Sequence, residues 1–240
     1  MSSQSSIKEN LNIIRYEISQ AEKKSGRPQG SVKLMAVSKF HPASSVEEAF
    51  NAGQFLFGEN RVQEASEKFP QITGLHPEIK VHMIGQLQSN KVKKAITFAD
   101  CIQSVDRIDL LKEIEKQCSK INRSISILFE FHTGEESKSG YLSEGELRES
   151  IEACVNGDFP HIIPAGFMTM APFTEDEKMI RKSFTQLREL AASLRHDYPS
   201  LQLNELSMGM SGDFKIAIEE GATLVRIGTA IFGERDYSNK

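Results

Sequence analysis

Eight short apolar runs, alternating with seven stretches of helical periodicity, restrict this chain to a small set of folds. Strand patterns occupy 33–38, 54–57, 81–84, 101–104, 125–132, 162–168, 204–207 and 223–227. Helical patterns fill the gaps at 45–52, 61–69, 89–98, 108–119, 144–154, 175–195 and 213–220. Strands alternating with helices at this spacing specify parallel pairing through helical crossovers. Eight units in 240 residues fit an α/β fold of the closed (β/α)8, TIM-type barrel kind better than an open doubly wound sheet. A helix precedes the first unit, because Ile7, Leu11, Ile14 and Ile18 recur at three and four residues before Gly26 and Pro28. No shorter repeat or linker interrupts the series, so a single domain over residues 1–240 is expected.

Several function classes fall away on composition. No run is long and apolar enough to span a bilayer, and the polar start MSSQSSIKEN lacks the basic and then apolar pattern of a secretory signal. A cytoplasmic protein is expected. Cys101, Cys118 and Cys154 are widely spaced with no CxxC pair, which suggests neither a disulfide framework nor a zinc site. The formal net charge of -4 offers no broad attraction for nucleic acid or anionic membrane, and Lys91, Lys93 and Lys94 read as a solvated helix face. The six histidines form no close ligand pair, so no metal is expected; His82, inside a strand pattern, reads as a core or rim histidine.

In a barrel, chemistry sits at the C-terminal ends of the strands. Strand alternation puts Met35, Val37 and Lys39 on one face, so Lys39 breaks the apolar pattern at the end of the first strand. An amine shielded there, near a cation such as Arg226, is partly deprotonated and able to form an imine. Pairing of Lys39 with Glu59 is the plainer alternative. Arg226 shares a face with Leu224 and Gly228, and an inward guanidinium needs an acceptor, whether a salt-bridge partner, a ring nitrogen or an anion. In SMGMSGDFKIAIEEG, Ser211 reads as the N-cap of a short helix, and Gly228 with Thr229 opens another turn; the two could cradle one phosphate. They could equally serve as tight turns and a cap. A glycosidase-like pairing of Glu59 with Glu135 or Glu136 is conceivable without further support.

These residues belong to longer blocks: AVSK (36–39), FGENRVQEA (57–65), HMIGQLQSNK (82–91), QSVDR (103–107), EESKSG (135–140), GFMTM (166–170), LSMGMSGDFKIAIEEGAT (206–223) and VRIGTAIFG (225–233). Together, in order and over about residues 7 to 236, they resemble the pyridoxal 5'-phosphate (PLP) homeostasis protein family. The resemblance implies a barrel similar to the N-terminal domain of alanine racemase, with PLP as cofactor. Lys39 matches the lysine holding PLP as a Schiff base, Arg226 the arginine facing the pyridine nitrogen, and Ser211, Gly228 and Thr229 the phosphate contacts. Asn60 and Met208 to Met210 look like pocket neighbours. Departures from the family pattern are Val81, Arg61, and Phe131 with His132, which bear on pocket polarity.

The implied role is to buffer and deliver PLP, with PLP-dependent apoenzymes as recipients and an influence on amino-acid and keto-acid balance, without robust turnover. A protonated arginine at the pyridine nitrogen weakens the ring as an electron sink, which suits a carrier. The enzymatic alternative, a PLP-dependent racemase, needs acid or base groups on both faces of the substrate carbanion. The racemase's opposing tyrosine comes from a second domain that this chain is expected to lack, and Tyr16, Tyr141, Tyr198 and Tyr237 lie outside the strand-end motifs. A cofactor-free Schiff-base aldolase and an interaction protein remain as further alternatives. A monomer is expected.

Overall fold

A computed structural model of the chain describes residues 6–134 and 139–234. Helix α1 (Ile7–Lys24) opens at Ser6, whose hydroxyl accepts from the Glu9 amide while the Glu9 carboxylate accepts from the Ser6 amide. Such a capping box contributes about 1 kcal/mol and defines the start. The barrel units follow as β1 (Lys33–Val37), α2 (Ala43–Asn51), β2 (Leu56–Glu59), α3 (Val62–Leu75), β3 (Lys80–Met83), α4 (Val92–Ala95), β4 (Cys101–Val105) and α5 (Ile108–Lys120). The second half comprises β5 (Ile125–Glu130), α6 (Glu144–Val155), β6 (Ile162–Met168), α7 (Glu177–Asp197), β7 (Glu205–Ser207), α8 (Phe214–Glu219), β8 (Leu224–Ile227) and α9 (Thr229–Phe232).

Each strand pairs in parallel with the next, and β8 returns to β1 with Arg226 opposite Met35, so the sheet is a closed eight-stranded barrel. The expected fold class is the observed one. Side chains such as Ala36, Phe57, Val81, Phe129 and Ile227 are buried between the strands and the surrounding helices. Each large one contributes about 1.5–3 kcal/mol by burial. On the opposite face Cys101, Leu128 and Met168 form a separate apolar cluster. Leu11, Ile14 and Ile18 bury the stripe of α1, which packs on α2, α8 and α9.

Several boundaries differ from the sequence reading for local reasons. β1 ends at Val37, so Lys39 lies in a turn two residues beyond the strand. β2 begins at Leu56, because the Gln54 side chain turns inward and donates to the Leu34 and Leu56 carbonyls. Helix α3 runs on through Pro70 to Leu75, held by buried Phe69 and Ile72 on one stripe. Packing here outweighs the lost backbone hydrogen bond of an internal proline. The helix expected at 89–98 is instead a 3₁₀ turn, Ser89–Lys91, leading into α4. Among the described residues, no helix is long and apolar enough to cross a membrane.

Candidate functional site

A cavity of about 310 Å³ opens at the C-terminal ends of the strands. Val37, Ile84 and Met168 give it an apolar lining, and Lys39, Asn60, Ser211, Arg226, Gly228 and Thr229 also face it. Six of the seven cofactor-binding candidates therefore share one space. The seventh, Met208, is fully buried in the hydrophobic core, and Met210 lines the cavity instead. Strand alternation alone would put Met208 and Met210 on one side, but β7 ends at Ser207 and Gly209, with a φ of +93°, turns the backbone between them. A Cβ on Gly209 would lie 2.5 Å from that of Ala217, so the turn packs directly on α8.

Ser211 is not the helix cap expected from the sequence. Asp213 occupies the N-cap position of α8, and its carboxylate accepts from the Met210 amide at 2.5 Å. Ser211 and Gly212 stand in the preceding turn at the cavity wall. Gly228 precedes α9, and Thr229 is the first residue of that helix. A Cβ on Gly228 would meet the Val37 carbonyl oxygen at 3.1 Å, so β8 and β1 approach closely there.

Arg226 is buried. One Nη1 donates to the Ser207 carbonyl at 2.7 Å and to the Ser207 hydroxyl at 2.9 Å, while Nη2 donates to the Thr169 carbonyl at 2.9 Å. The salt bridge weighed from the sequence is replaced by these neutral acceptors. Burial lowers the Arg226 pKa to about 10, with Asp213 and Glu130 raising it, so the group stays protonated at neutral pH. Its Nε–H and one Nη2–H remain for a ligand in the cavity that it lines.

Behind Arg226 runs a polar chain that sequence reasoning missed. The Ser207 hydroxyl donates to Gln103 Oε1 at 2.6 Å, and Gln103 Nε2 donates to His82 Nδ1 at 2.8 Å. His82 therefore carries its proton on Nε2. Enclosure pushes its pKa down to about 4, against the opposing pull of Asp100 and Glu205, and it is a neutral barrel histidine as expected. Polar residues at alternate strand positions, such as Gln103 within CIQSV, were the available signal.

Two further buried groups shape the electrostatics. Asn60 Oδ1 is buried without a hydrogen-bond partner on a residue that lines the cavity. Its backbone presses on Gly85, where a Cβ would lie 2.3 Å from the Asn60 carbonyl oxygen. Glu130, at the end of β5, accepts from the Ser139 hydroxyl through Oε1, and its Oε2 is buried without a partner. Burial pushes its pKa up to about 7, with Asp106 raising it further and Ser139 and Arg226 lowering it.

Glu59 is held by Ser38 and Lys68, not by Lys39. Its Oε1 accepts from the Ser38 hydroxyl at 2.7 Å and from Lys68 at 2.8 Å. The glycosidase-like partners Glu135 and Glu136 lie outside the described residues. Of the departures from the family pattern, Val81 and Phe131 are in the hydrophobic core, and Arg61 stacks on the Phe40 ring at 5.0 Å. None of Val81, Arg61, Phe131 and His132 lines the cavity. Among the described residues, no group of three or more His, Cys, Asp or Glu could hold a metal ion.

Residues 10–236 match the family described as alanine racemase, N-terminal domain. A pyridoxal phosphate homeostasis protein of Aquifex aeolicus is 39% identical over 95% of this chain and 98% of its own length. That of Vibrio cholerae is 40% identical, covering 97% of this chain and 98% of the relative. The chain belongs to the pyridoxal phosphate homeostasis protein family. Among solved structures, PipY of Synechococcus elongatus with PLP bound superposes with a TM-score of 0.80 at 37% identity, covering 95% of this chain and all of PipY. An alanine racemase of Clostridium difficile shares the fold, with a TM-score of 0.70 at 14% identity, and this chain covers 56% of it.

Proposed function

We propose that this protein binds PLP in the strand-end cavity, holds it as a Schiff base on Lys39, and buffers and delivers it inside the cell. One observation carries the reading. A single cavity joins the Lys39 amine to the buried cation Arg226 and to the Ser211 and Thr229 turns. PLP supplies an aldehyde that condenses with a primary amine, with loss of water, and an anionic phosphate that needs hydrogen-bond donors. The residues fit those demands. Lys39 offers the amine, and Ser211, Gly212, Gly228 and Thr229 offer hydroxyls and backbone amides around one wall. Asn60 Oδ1, a buried acceptor without a protein partner, suits a ligand hydroxyl.

Arg226 favours a carrier over a catalyst. A permanently charged donor toward the ring nitrogen keeps that nitrogen unprotonated and limits electron withdrawal. None of the described tyrosines lines the cavity: Tyr141 bonds Ser150 in the core, Tyr198 bonds Glu152, and Tyr16 is exposed. The second acid or base that racemisation requires is thus not supplied by a tyrosine among the described residues. The protein acts as a monomer in the cytoplasm, with PLP-dependent apoenzymes as recipients and amino-acid and keto-acid balance as the downstream effect.

The test is the visible spectrum of purified protein with added PLP, before and after borohydride. An imine absorbance and a reduced cofactor fixed on Lys39 by peptide mass are expected. No absorbance and no adduct would overturn the reading, and alanine racemisation at ordinary enzyme rates would replace it with the racemase.

A further inference from the structure

The turn that carries Lys39 is gripped on both sides by charged groups from β2 and α3. On one side, the Ser38 carbonyl accepts from Lys68 Nζ at 2.9 Å and the Ser38 hydroxyl donates to Glu59 Oε1 at 2.7 Å. On the other, the Phe40 amide donates to Glu64 Oε1 at 2.6 Å. Lys68 joins the two grips, lying 2.8 Å from Glu59 Oε1 and 2.9 Å from Glu64 Oε1. The Lys68 and Glu59 side chains are 6% and 0% exposed, so the pair is desolvated. Glu59 keeps its second oxygen buried without a partner, and burial raises its pKa against the pull of Lys68.

Buried ion pairs of this kind seldom stabilise a fold more than apolar residues of the same volume would. Their contribution here is directional. Phe40 holds a φ of +65°, a left-handed conformation that a non-glycine residue adopts only when its surroundings impose it. The Glu64 carboxylate on its amide and the Arg61 guanidinium over its ring supply that constraint. Fixing residues 38 and 40 leaves Lys39 little choice but to present its side chain to the cavity it lines.

Building on the Schiff-base reading of Lys39, we propose that Glu59, Lys68 and Glu64 are positioning residues that orient Lys39 for covalent capture of the aldehyde. They do not themselves line the cavity. A positioning role separates two quantities that general destabilisation would move together. Covalent capture needs the amine aligned on the carbonyl, whereas pyridoxine 5'-phosphate, an alcohol, occupies the same pocket without forming an imine.

Lys68→Met would leave two carboxylates uncompensated and risks unfolding the chain, so the decisive variant is Glu64→Leu, whose side chain is 23% exposed in the parent. It should fold, bind PLP about 10- to 100-fold more weakly and trap less cofactor on Lys39 with borohydride, with pyridoxine 5'-phosphate affinity unchanged. Glu64→Gln, which keeps an acceptor for the Phe40 amide, should restore most of the capture. Unaltered PLP affinity in Glu64→Leu, equal weakening toward both ligands, or a variant that does not fold would overturn the proposal. Absence of any adduct on Lys39 in the unaltered protein would instead overturn the Schiff-base reading, and the positioning role with it.

Discussion

Arg226 and Ser207 face each other across β8 and β7 with two hydrogen bonds from one guanidinium nitrogen, to the carbonyl at 2.7 Å and to the hydroxyl at 2.9 Å. The hydroxyl is also the link to Gln103, so it serves as acceptor from a cation and as donor to an amide at once. Removing it orphans a buried oxygen on Gln103 and weakens the hold on Arg226. Ser207→Ala should therefore lower stability by about 1–3 kcal/mol. The measurement is the urea midpoint at constant slope; a loss confined to a few tenths would show that the chain from Arg226 to His82 is not cooperative.

Glu130 should make stability fall as the pH rises from about 4.5 to about 7. Its folded pKa of about 7 lies above its ordinary value of 4.5, so the folded state binds the proton more tightly. Stability is then fullest below about 4.5, decreases through that window, and levels off above about 7. Glu130→Gln, which still accepts from Ser139, should match the parent at pH 4.5 and exceed it by roughly 2–4 kcal/mol at pH 8. Thermal melts of both proteins across that range give the answer, and parallel profiles would contradict the assignment.

Gly209→Ala should damage the fold and the site together. A methyl group there meets Ala217 Cβ at 2.5 Å and the Phe214 Cα at 2.9 Å, in a backbone conformation of φ +93°. Overpacking and left-handed strain together cost about 2–4 kcal/mol. Because Gly209 leads into the turn bearing Ser211, PLP affinity should drop as well, measurable by absorbance titration.

In the proposed PLP site, Ser211 and Thr229 hold the phosphate and not the aldehyde. The double variant Ser211→Ala, Thr229→Ala should lose about 10- to 100-fold in affinity for PLP through missing hydrogen bonds to a charged group. Affinity for pyridoxal, which lacks the phosphate, should stay as it is. Equal losses for both ligands would remove these residues from phosphate binding.

Much of the fold was legible because its signal is local. The stripe of Ile7, Leu11, Ile14 and Ile18 specifies α1, and β6 occupies the span read from its apolar run. Boundaries failed where a side chain or tertiary packing took over a backbone task, as with Gln54 before β2 and Pro70 inside α3. The strand parity that turned Arg226 inward was also readable, since Leu224, Arg226 and Gly228 alternate with the outward Val225 and Ile227. Lys68 escaped notice although it follows the buried Ala65 by three residues on the inner stripe of α3.

From its amino-acid order alone, this chain specified eight alternating units, their inward and outward faces, and which strand ends carry unusual residues, because all three follow from repeats of two to four residues. Only closure of the barrel decided which polar groups meet. Ser207 and Gln103 are 104 positions apart, and Lys68 reaches back 30 positions to the Ser38 carbonyl. No periodicity encodes such partners, since a desolvated donor takes whichever acceptor the closed sheet and its helices bring within reach.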